Sequence, residues 1–341
     1  MSDTRYKIQS LDDIRGAVAT LPVMDVEAAN AARDRQNTLT KPPGSLGQLE
    51  YLAEFMAGWL KTATPTIDVA QAVVFAGNHG VCAQGVNPYP QEVTAQMVGN
   101  FQAGGAAINQ LCKANNAELS VVALDLETPT GDFTQGPALS TEELVEAINQ
   151  GAKAVNPASD ILLLGEMGIG NSTVAAALTS AIFGGDVQGW VGPGTGSDPE
   201  GIARKVSVIE AGLKLHSDHE GDALGQLAAF GGREQAAICG AVLAARSYNI
   251  PVVLDGYICT AAAAVLYGVD PALLDHCLVG HASAEPGHKL LLDAINKKPI
   301  LQFDMRLGEG SGAALALGII RSALACHNGM ATFGEAGVSD A

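Results

Sequence analysis

The chain has 341 residues, a formal net charge of −17 and a pI near 4.7. Its lysines and arginines are scattered and its aromatic content is only 5%, which argues against a nucleic acid or an anionic membrane surface as a partner. The length allows one large domain or two. The 40 glycines, about 12% of the chain against an average of about 7%, indicate many tight loops.

The sequence carries no signal for secretion or membrane insertion. Residues 1–10 contain no apolar core, and the longest hydrophobic stretch, residues 250–269, is interrupted by Pro251 and Asp255. The six cysteines show no C-x-x-C spacing and lie mostly among apolar residues, so buried free thiols are favoured. We therefore expect a cytoplasmic protein.

Helical periodicity dominates the N-terminal segment. Apolar residues recur at helical spacing from Leu11 to Leu21, after a possible cap at Ser10, which predicts one helix over residues 9–35. A second helix is predicted over residues 46–60. The connector between them is rich in proline and glycine and is therefore rigid.

Six short β-rich runs alternate with longer Ala/Gly-rich helical stretches from about residue 69 onwards. Several of the runs are continuously apolar, as expected for strands buried on both faces of a parallel sheet. Helical segments of ten or more residues between them favour β-α-β crossovers. We predict an α/β fold with a doubly wound, Rossmann-like parallel sheet of about six strands. The predicted strands are residues 72–76, 119–124, 161–165, 252–255, 278–280 and 300–303.

The same pattern predicts two domains. Residues 1–68 and 311–341 would form a small helical domain, in which a last helix over 311–326 packs with the N-terminal helices. Residues 69–310 would form the large α/β domain.

A carboxylate after the last predicted strand is the most informative side chain. Glu309 lies between Gly308 and Gly310, and a helix follows from about Ser311. This position is where open α/β sheets bind ligands, and the flanking glycines leave room for a flat group to approach. The arrangement suits a general base.

A glycine-rich loop follows the third predicted strand, in the segment Gly-Glu-Met-Gly-Ile-Gly-Asn-Ser-Thr that ends at Thr173. Backbone N–H groups of Gly168, Gly170 and Asn171 would form an anion cradle at a helix N-terminus. The segment matches neither a Walker A loop nor a complete G-x-G-x-x-G, and a purely structural turn remains an alternative. Glu166 is either a ligand contact or a second acid–base group.

Two further segments are candidates for nucleotide contacts. A second glycine loop with Gly194 and Gly196 precedes a helix that carries Lys205, where one cation would meet a phosphate. Alone, this loop is weak support. Asp255 ends the fourth predicted strand, where it would hold a ribose hydroxyl; the alternative is a cap for the helix from Ile258 onward.

The segment after the fifth predicted strand contains Ser283, which can donate to a phosphate. His281, Glu285 and His288 lie close by in sequence and are conceivable metal ligands, but their spacing matches no zinc motif. A metal site is therefore not favoured.

The loop after the first predicted strand contains His79, as a pocket residue or, less favoured, a catalytic base. Gln91 and Glu92 follow, and they offer donors and acceptors for a planar heterocycle.

These segments occur in one order along the chain, and together they resemble the nicotinate-nucleotide:5,6-dimethylbenzimidazole phosphoribosyltransferase family. The resemblance runs from residue 41 to residue 312, nearly the whole chain. Asn78 is a departure, because the family more often has aspartate there. The segments that carry the resemblance are Lys-Pro-Pro-Gly-Ser-Leu-Gly (41–47), Asn-His-Gly-Val (78–81), Tyr-Pro-Gln-Glu-Val-Thr (89–94), Gly-Glu-Met-Gly-Ile-Gly-Asn-Ser (165–172), Gly-Gly-Arg-Glu-Gln (231–235) and Phe-Asp-Met-Arg-Leu-Gly-Glu (303–309).

The resemblance implies a Rossmann-like fold with a small helical domain, a homodimer, and no cofactor or metal. It implies Glu309 as general base, with Glu166 as a second catalytic group. The implied substrate contacts are Gly168, Gly170, Asn171, Gly194, Gly196, Lys205 and Ser283 around the nucleotide phosphate, Asp255 near the ribose, and Gln91, Met167 and Leu307 near the aromatic base.

The implied reaction is a pentosyl transfer in cobalamin biosynthesis, from nicotinate mononucleotide to 5,6-dimethylbenzimidazole or a related base. Two other classes are weaker alternatives. One is a non-catalytic nucleotide-binding regulator, which would have no need of Glu309. The other is a metal-dependent hydrolase that uses His281, Glu285 and His288.

Overall fold

The computed structural model describes residues 6–339. Six strands form one sheet in the order β2-β1-β3-β4-β5-β6, and every neighbouring pair is parallel. The strands are β1 (Ala70–Ala76), β2 (Glu118–Ala123), β3 (Ile161–Met167), β4 (Val252–Leu254), β5 (Cys277–His281) and β6 (Pro299–Leu301). The prediction of a doubly wound α/β fold with six strands is confirmed, with ends that differ by one or two residues.

Helices cover both faces of this sheet. The α-helices of the described residues are α1 (Leu11–Arg15), α2 (Val26–Thr38), α3 (Gln48–Leu60), α4 (Glu92–Ala103), α5 (Ala107–Ala114), α6 (Thr141–Ala154), α7 (Asn171–Phe183), α8 (Val187–Trp190), α9 (Pro199–Leu215), α10 (Ala223–Phe230), α11 (Arg233–Ser247), α12 (Tyr257–Val269), α13 (Pro286–Ala294), α14 (Ser311–Gly329) and α15 (Phe333–Ala336). Short 3-10 helices lie at Ala17–Ala19, Gly80–Gln84, Ser217–His219 and Pro271–Leu274. Of the helices in this part of the chain, none has the length and apolar character that crossing a membrane requires.

Two apolar cores lie on opposite faces of the sheet. Val73 and Phe75 of β1 point into the first, which α6, α7, α11 and α12 cover. Ala72 and Val74 point into the second, where α3, α5 and α14 pack. The alternation follows from the two-residue period of a strand. The contact between α14 and α3 confirms that the last helix packs with an N-terminal one.

The prediction of one continuous helix over residues 9–35 is wrong. Helix α1 ends at Arg15, and α2 begins only at Val26, where Asp25 caps it by accepting from the Ala28 amide at 2.9 Å. The apolar spacing continues across the gap, but Gly16 and Pro22 interrupt the helical backbone. Residues from this gap still pack into the first core. The division into two domains remains a prediction.

The strand order places a switch point between β1 and β3. The chain leaves β1 towards β2 on one side and returns to β3 on the other. Loops from these two strands therefore diverge and leave a crevice at their carboxyl ends, where open α/β sheets bind ligands. The glycine-rich loop after β3 borders this crevice.

Candidate active site

A cleft lies at the switch point, where open α/β sheets bind ligands. It brings together most of the residues that the sequence predicts for the site. The predicted residues that line it are Glu166, Met167, Gly168, Gly170, Asn171, Gly194, Lys205, Asp255, Ser283 and Leu307.

Three predicted residues lie outside this lining. Gln91 borders an adjoining depression that shares Asn87 with the cleft. Gly196 is exposed, and its amide donates to the Pro193 carbonyl at 3.0 Å, so it shapes the turn instead of lining the cleft. Glu309 follows Gly308, which does line the cleft.

Glu309 sits on a left-handed turn. Gly308, Glu309 and Gly310 have φ values of 85°, 65° and 83°, a run that costs a non-glycine residue about 1–3 kcal/mol. The Glu309 side chain is only 6% exposed, and its Oε2 atom has no hydrogen-bond partner within the described residues. Burial, followed by the nearby charge of Asp255, raises its pKa to about 7, against a lowering effect of the Ile108 amide. That value suits a general base at neutral pH.

Glu166 is a second buried carboxyl group, at the end of β3. It is 4% exposed, and the Asn171 side-chain amide donates to its Oε2 atom. Burial first, and then the charges of Asp255 and Glu234, raise its pKa to about 8. At neutral pH Glu166 therefore holds its proton more firmly than Glu309 does. Two carboxyl groups with separated pKa values can take different roles.

Asp255 holds the turn that presents Glu309. Its fully buried carboxylate accepts from the amides of Gly310 at 3.1 Å, Gly312 at 2.6 Å and Ala313 at 3.0 Å. Asp255 therefore caps the N-terminus of α14. The alternative prediction, that it caps the helix beginning near Ile258, is wrong. Burial raises its pKa, and His281 and the three amides oppose that rise. The proposed ribose contact remains a prediction.

Two cationic side chains, those of Lys205 and Arg306, contact the second glycine loop. Lys205 is 2% exposed, and its Nζ donates to Ser172 Oγ at 3.4 Å and to the Gly192 carbonyl at 3.2 Å. Burial lowers its pKa, and the charge of Glu285 opposes this effect. Arg306 Nη1 donates to the Gly194 carbonyl at 3.0 Å. With the N-terminus of α7 adjacent, this corner suits a phosphate.

The backbone amides of the glycine loops are less available than the sequence predicts. The Asn171 amide donates to the Gly168 carbonyl at 3.2 Å, and the Gly194 amide donates to Glu285 Oε1 at 3.0 Å. The prediction of a free Asn171 amide is therefore wrong. Ser283 Oγ accepts from the Glu285 amide at 3.3 Å, which leaves the hydroxyl hydrogen of Ser283 for a ligand.

Sequence reasoning missed two polar residues of this corner, Ser172 and Arg306. Both stand inside segments that it quoted, two residues after Gly170 and one before Leu307. Position in the motif was the available signal for each. Only the fold shows that their side chains converge with Lys205.

The three conceivable metal ligands have separate partners. His281 faces Asp255 at 3.7 Å, His288 Nδ1 accepts from the Ser283 amide at 2.8 Å, and Glu285 faces the Gly194 amide. No group of three or more His, Cys, Asp or Glu side chains in residues 6–339 is arranged to hold a metal ion. The geometry therefore gives no support to the hydrolase alternative.

Comparison with known proteins identifies the family. A phosphoribosyltransferase family model matches residues 21–338. The nicotinate-nucleotide–dimethylbenzimidazole phosphoribosyltransferase of Rhodobacter capsulatus is 60% identical over 333 residues, 98% of this chain and 99% of the relative. The chain belongs to this phosphoribosyltransferase family. The phosphoribosyltransferase of the same name from Mesorhizobium japonicum is 55% identical over 332 residues, 97% of this chain and 99% of the relative.

A solved structure extends the likeness within the family to three dimensions. The crystal structure of nicotinate-nucleotide-dimethylbenzimidazole phosphoribosyltransferase from Thermus thermophilus superimposes with a TM-score of 0.85 at 39% identity. It covers 93% of this chain and 100% of the solved chain. The resemblance seen in the sequence and the predicted fold are both confirmed.

Proposed function

We propose that the protein transfers the phosphoribosyl group of nicotinate mononucleotide to 5,6-dimethylbenzimidazole, and so supplies α-ribazole 5′-phosphate for cobalamin biosynthesis. The names and high identity of the relatives support this activity. The observation that carries the mechanism is Glu309, a buried carboxyl group next in sequence to Gly308 of the cleft wall, with a pKa of about 7 and one oxygen that has no hydrogen-bond partner among the described residues.

The proposed reaction is a substitution at ribose C1, in which a pyridinium group leaves and an azole nitrogen takes its place. Nicotinate mononucleotide carries a pyridinium ring, which departs from ribose C1 as nicotinate when the glycosidic bond breaks. One ring nitrogen of the benzimidazole forms the new bond to C1 from the opposite face, which inverts β to α. Glu309 accepts the proton from the other ring nitrogen as positive charge develops on the azole.

The remaining side chains of the site bind and orient the substrates. Lys205 and Arg306, with the Ser172 and Ser283 hydroxyls, would hold the phosphate. Glu166, which at neutral pH holds its proton more firmly than Glu309 does, would donate a hydrogen bond instead of offering a full negative charge to the oxocarbenium-like ribose. Holding both reactants in one cleft supplies part of the acceleration through proximity.

The proposal also covers the number of subunits of the protein and its cellular compartment. We propose a cytoplasmic homodimer, as the family resemblance implies, with sedimentation equilibrium as the test of subunit number. A single-chain mass at micromolar concentration would reject the dimer and leave the catalytic proposal standing.

The catalytic assignment is tested by steady-state kinetics of Glu309→Gln and Glu309→Ala with both substrates. Loss of a general base predicts a fall in kcat of about 10²–10⁴-fold with little change in KM. Asp304→Asn is the matched control, because Asp304 is an exposed carboxylate of the same loop, in a backbone conformation (φ 52°) that asparagine also adopts. Near-normal kcat in both Glu309 variants rejects the assignment.

A further inference from the structure

A buried pair of ionisable side chains adjoins the site described above, where one of its members, Glu234, has entered only through its effect on the pKa of Glu166. His79 follows β1, and Glu234 lies in the first turn of α11. Both side chains are fully buried, and His79 Nε2 lies 3.1 Å from Glu234 Oε1. They belong to the Asn-His-Gly-Val and Gly-Gly-Arg-Glu-Gln segments, to which the proposed mechanism assigns no role.

Glycines from three separate segments make room for this pair. A Cβ atom at Gly77 would lie 2.5 Å from Glu234 Oε2, and one at Gly232 would lie 2.4 Å from the same oxygen and from His79 Cε1. A Cβ atom at Gly168 would lie 2.9 Å from His79 Nε2. The pair is therefore packed tightly between the loop after β1, the loop after β3 and the start of α11.

A contribution to the stability of the fold does not explain why these two polar side chains are buried together. Apart from their contact with each other, the ring nitrogens of His79 and the carboxylate oxygens of Glu234 find no hydrogen-bond partner in residues 6–339. Removing two polar groups from water with so few bonds is costly, and apolar residues of similar volume often serve stability as well or better.

The pair does touch the walls of the two adjoining depressions. The His79 carbonyl accepts a hydrogen bond from the Gln91 side chain. Gly168, which lines the cleft, lies against the His79 imidazole. The side predicted to receive the aromatic base therefore depends on where His79 is held.

We propose that the His79–Glu234 pair positions the acceptor side of the cleft, by tying the loop after β1 to the first turn of α11 so that Gln91, which donates to the His79 carbonyl, fits a planar azole. This inference rests on the proposed function, because the azole is its acceptor substrate. His79 and Glu234 act through Gln91 and are positioning residues.

The test uses Glu234→Ala, Glu234→Gln and the apolar double variant His79→Leu/Glu234→Met in the full-length chain. The measurements are the KM of each substrate, the Kd of 5,6-dimethylbenzimidazole by calorimetry, and thermal unfolding. We expect Glu234→Ala and the double variant to raise the acceptor KM and Kd about tenfold, since small misplacements in a site can cost up to about a hundredfold. The nucleotide KM should change less than about twofold. Glu234→Gln, which keeps the length of the side chain and an oxygen facing His79, should restore acceptor binding to within about threefold.

Glu143→Gln is the matched control. It breaks the half-exposed ion pair in which Glu143 Oε1 lies 2.9 Å from Arg233 Nη2, at the same end of α11, without touching the buried pair. It should leave both KM values unchanged.

A folded double variant that binds the azole with wild-type affinity overturns the inference, as does an equal rise in both KM values. If the double variant does not unfold cooperatively, Glu234→Ala and Glu234→Gln are compared instead. Wild-type azole affinity in Glu234→Ala, or an equal rise in both of its KM values, then overturns the inference. Failure of the proposed function looks different, because then the wild-type protein itself neither binds the azole nor forms product.

Discussion

Replacing Asp255 by asparagine would test how the protein sets the Glu309 base. Asp255 accepts three amide hydrogen bonds from the turn and first residues of α14. Asparagine has one acceptor oxygen, and its NH₂ group would oppose one of those amides. The variant therefore changes both the shape of the turn and the charge beside Glu309.

The stability cost can be estimated from the bonds that are lost. A hydrogen bond to a charged group contributes about 1.5–3 kcal/mol, and a carboxylate at a helix N-terminus contributes a further 0.3–2 kcal/mol or so. Burying a neutral amide instead of a charge offsets part of this loss. We expect the free energy of unfolding in urea to fall by about 2–4 kcal/mol.

The catalytic consequence has a defined direction. Glu309 accepts a proton only when ionised, so kcat/KM for the azole should fall as pH drops through its pKa of about 7. The Asp255 charge is one cause of that raised pKa, so this acidic limb should move to lower pH in Asp255→Asn. A folded variant whose acidic limb stays at the wild-type pH would refute the coupling between these two carboxyl groups.

Three further predictions concern the rest of the cleft. Lys205→Ala should raise the nucleotide KM about 10–100-fold, from the loss of a charge-assisted contact of about 1.5–3 kcal/mol, with a smaller effect on the azole KM; an unchanged nucleotide KM would remove Lys205 from the phosphate site. Arg306→Ala should raise the nucleotide KM about fivefold, since Arg306 is largely exposed, and equal effects on both substrates would place it elsewhere. The raised pKa of Glu166, about 8 against an ordinary 4.5, contributes stability that is present below about pH 4.5 and lost as pH rises through about 8. Thermal unfolding of the ligand-free protein should therefore show wild type losing roughly 4 kcal/mol over this range relative to Glu166→Gln, and equal pH slopes in the two proteins would contradict the assignment.

The sequence predicted the centre of the sheet well because β1, β3, β4 and β5 are buried on both faces. Runs such as Ile161–Leu164 are continuously apolar and bounded by loop residues, so the pattern has one reading. The prediction of one helix over residues 9–35 was wrong because there the apolar pattern does not follow the backbone. Its apolar spacing continues through a break that Gly16 and Pro22 impose on the backbone.

In the site, too, local sequence pattern indicates single residues but not the contacts between distant segments. The sequence predicts Glu309, Glu166 and Lys205 as site residues because each stands in or near a glycine-rich segment next to a strand or helix end. The binding of Asp255 to the amides of α14 was not predicted, since 55 residues separate it from Gly310. The His79–Glu234 contact joins two segments far apart in the chain, and only the packing of α11 against the sheet brings them together.

The central claim is that Glu309 removes a proton from the azole, and an acceptor without that proton tests it most directly. In 5,6-dimethylbenzothiazole a sulfur atom replaces the ring N–H, so attack by the remaining nitrogen leaves no proton to remove. With 5,6-dimethylbenzimidazole, wild type should exceed Glu309→Gln in kcat by about 10²–10⁴-fold. With the benzothiazole the two proteins should differ by less than about threefold, and the same large ratio for both acceptors would contradict the account.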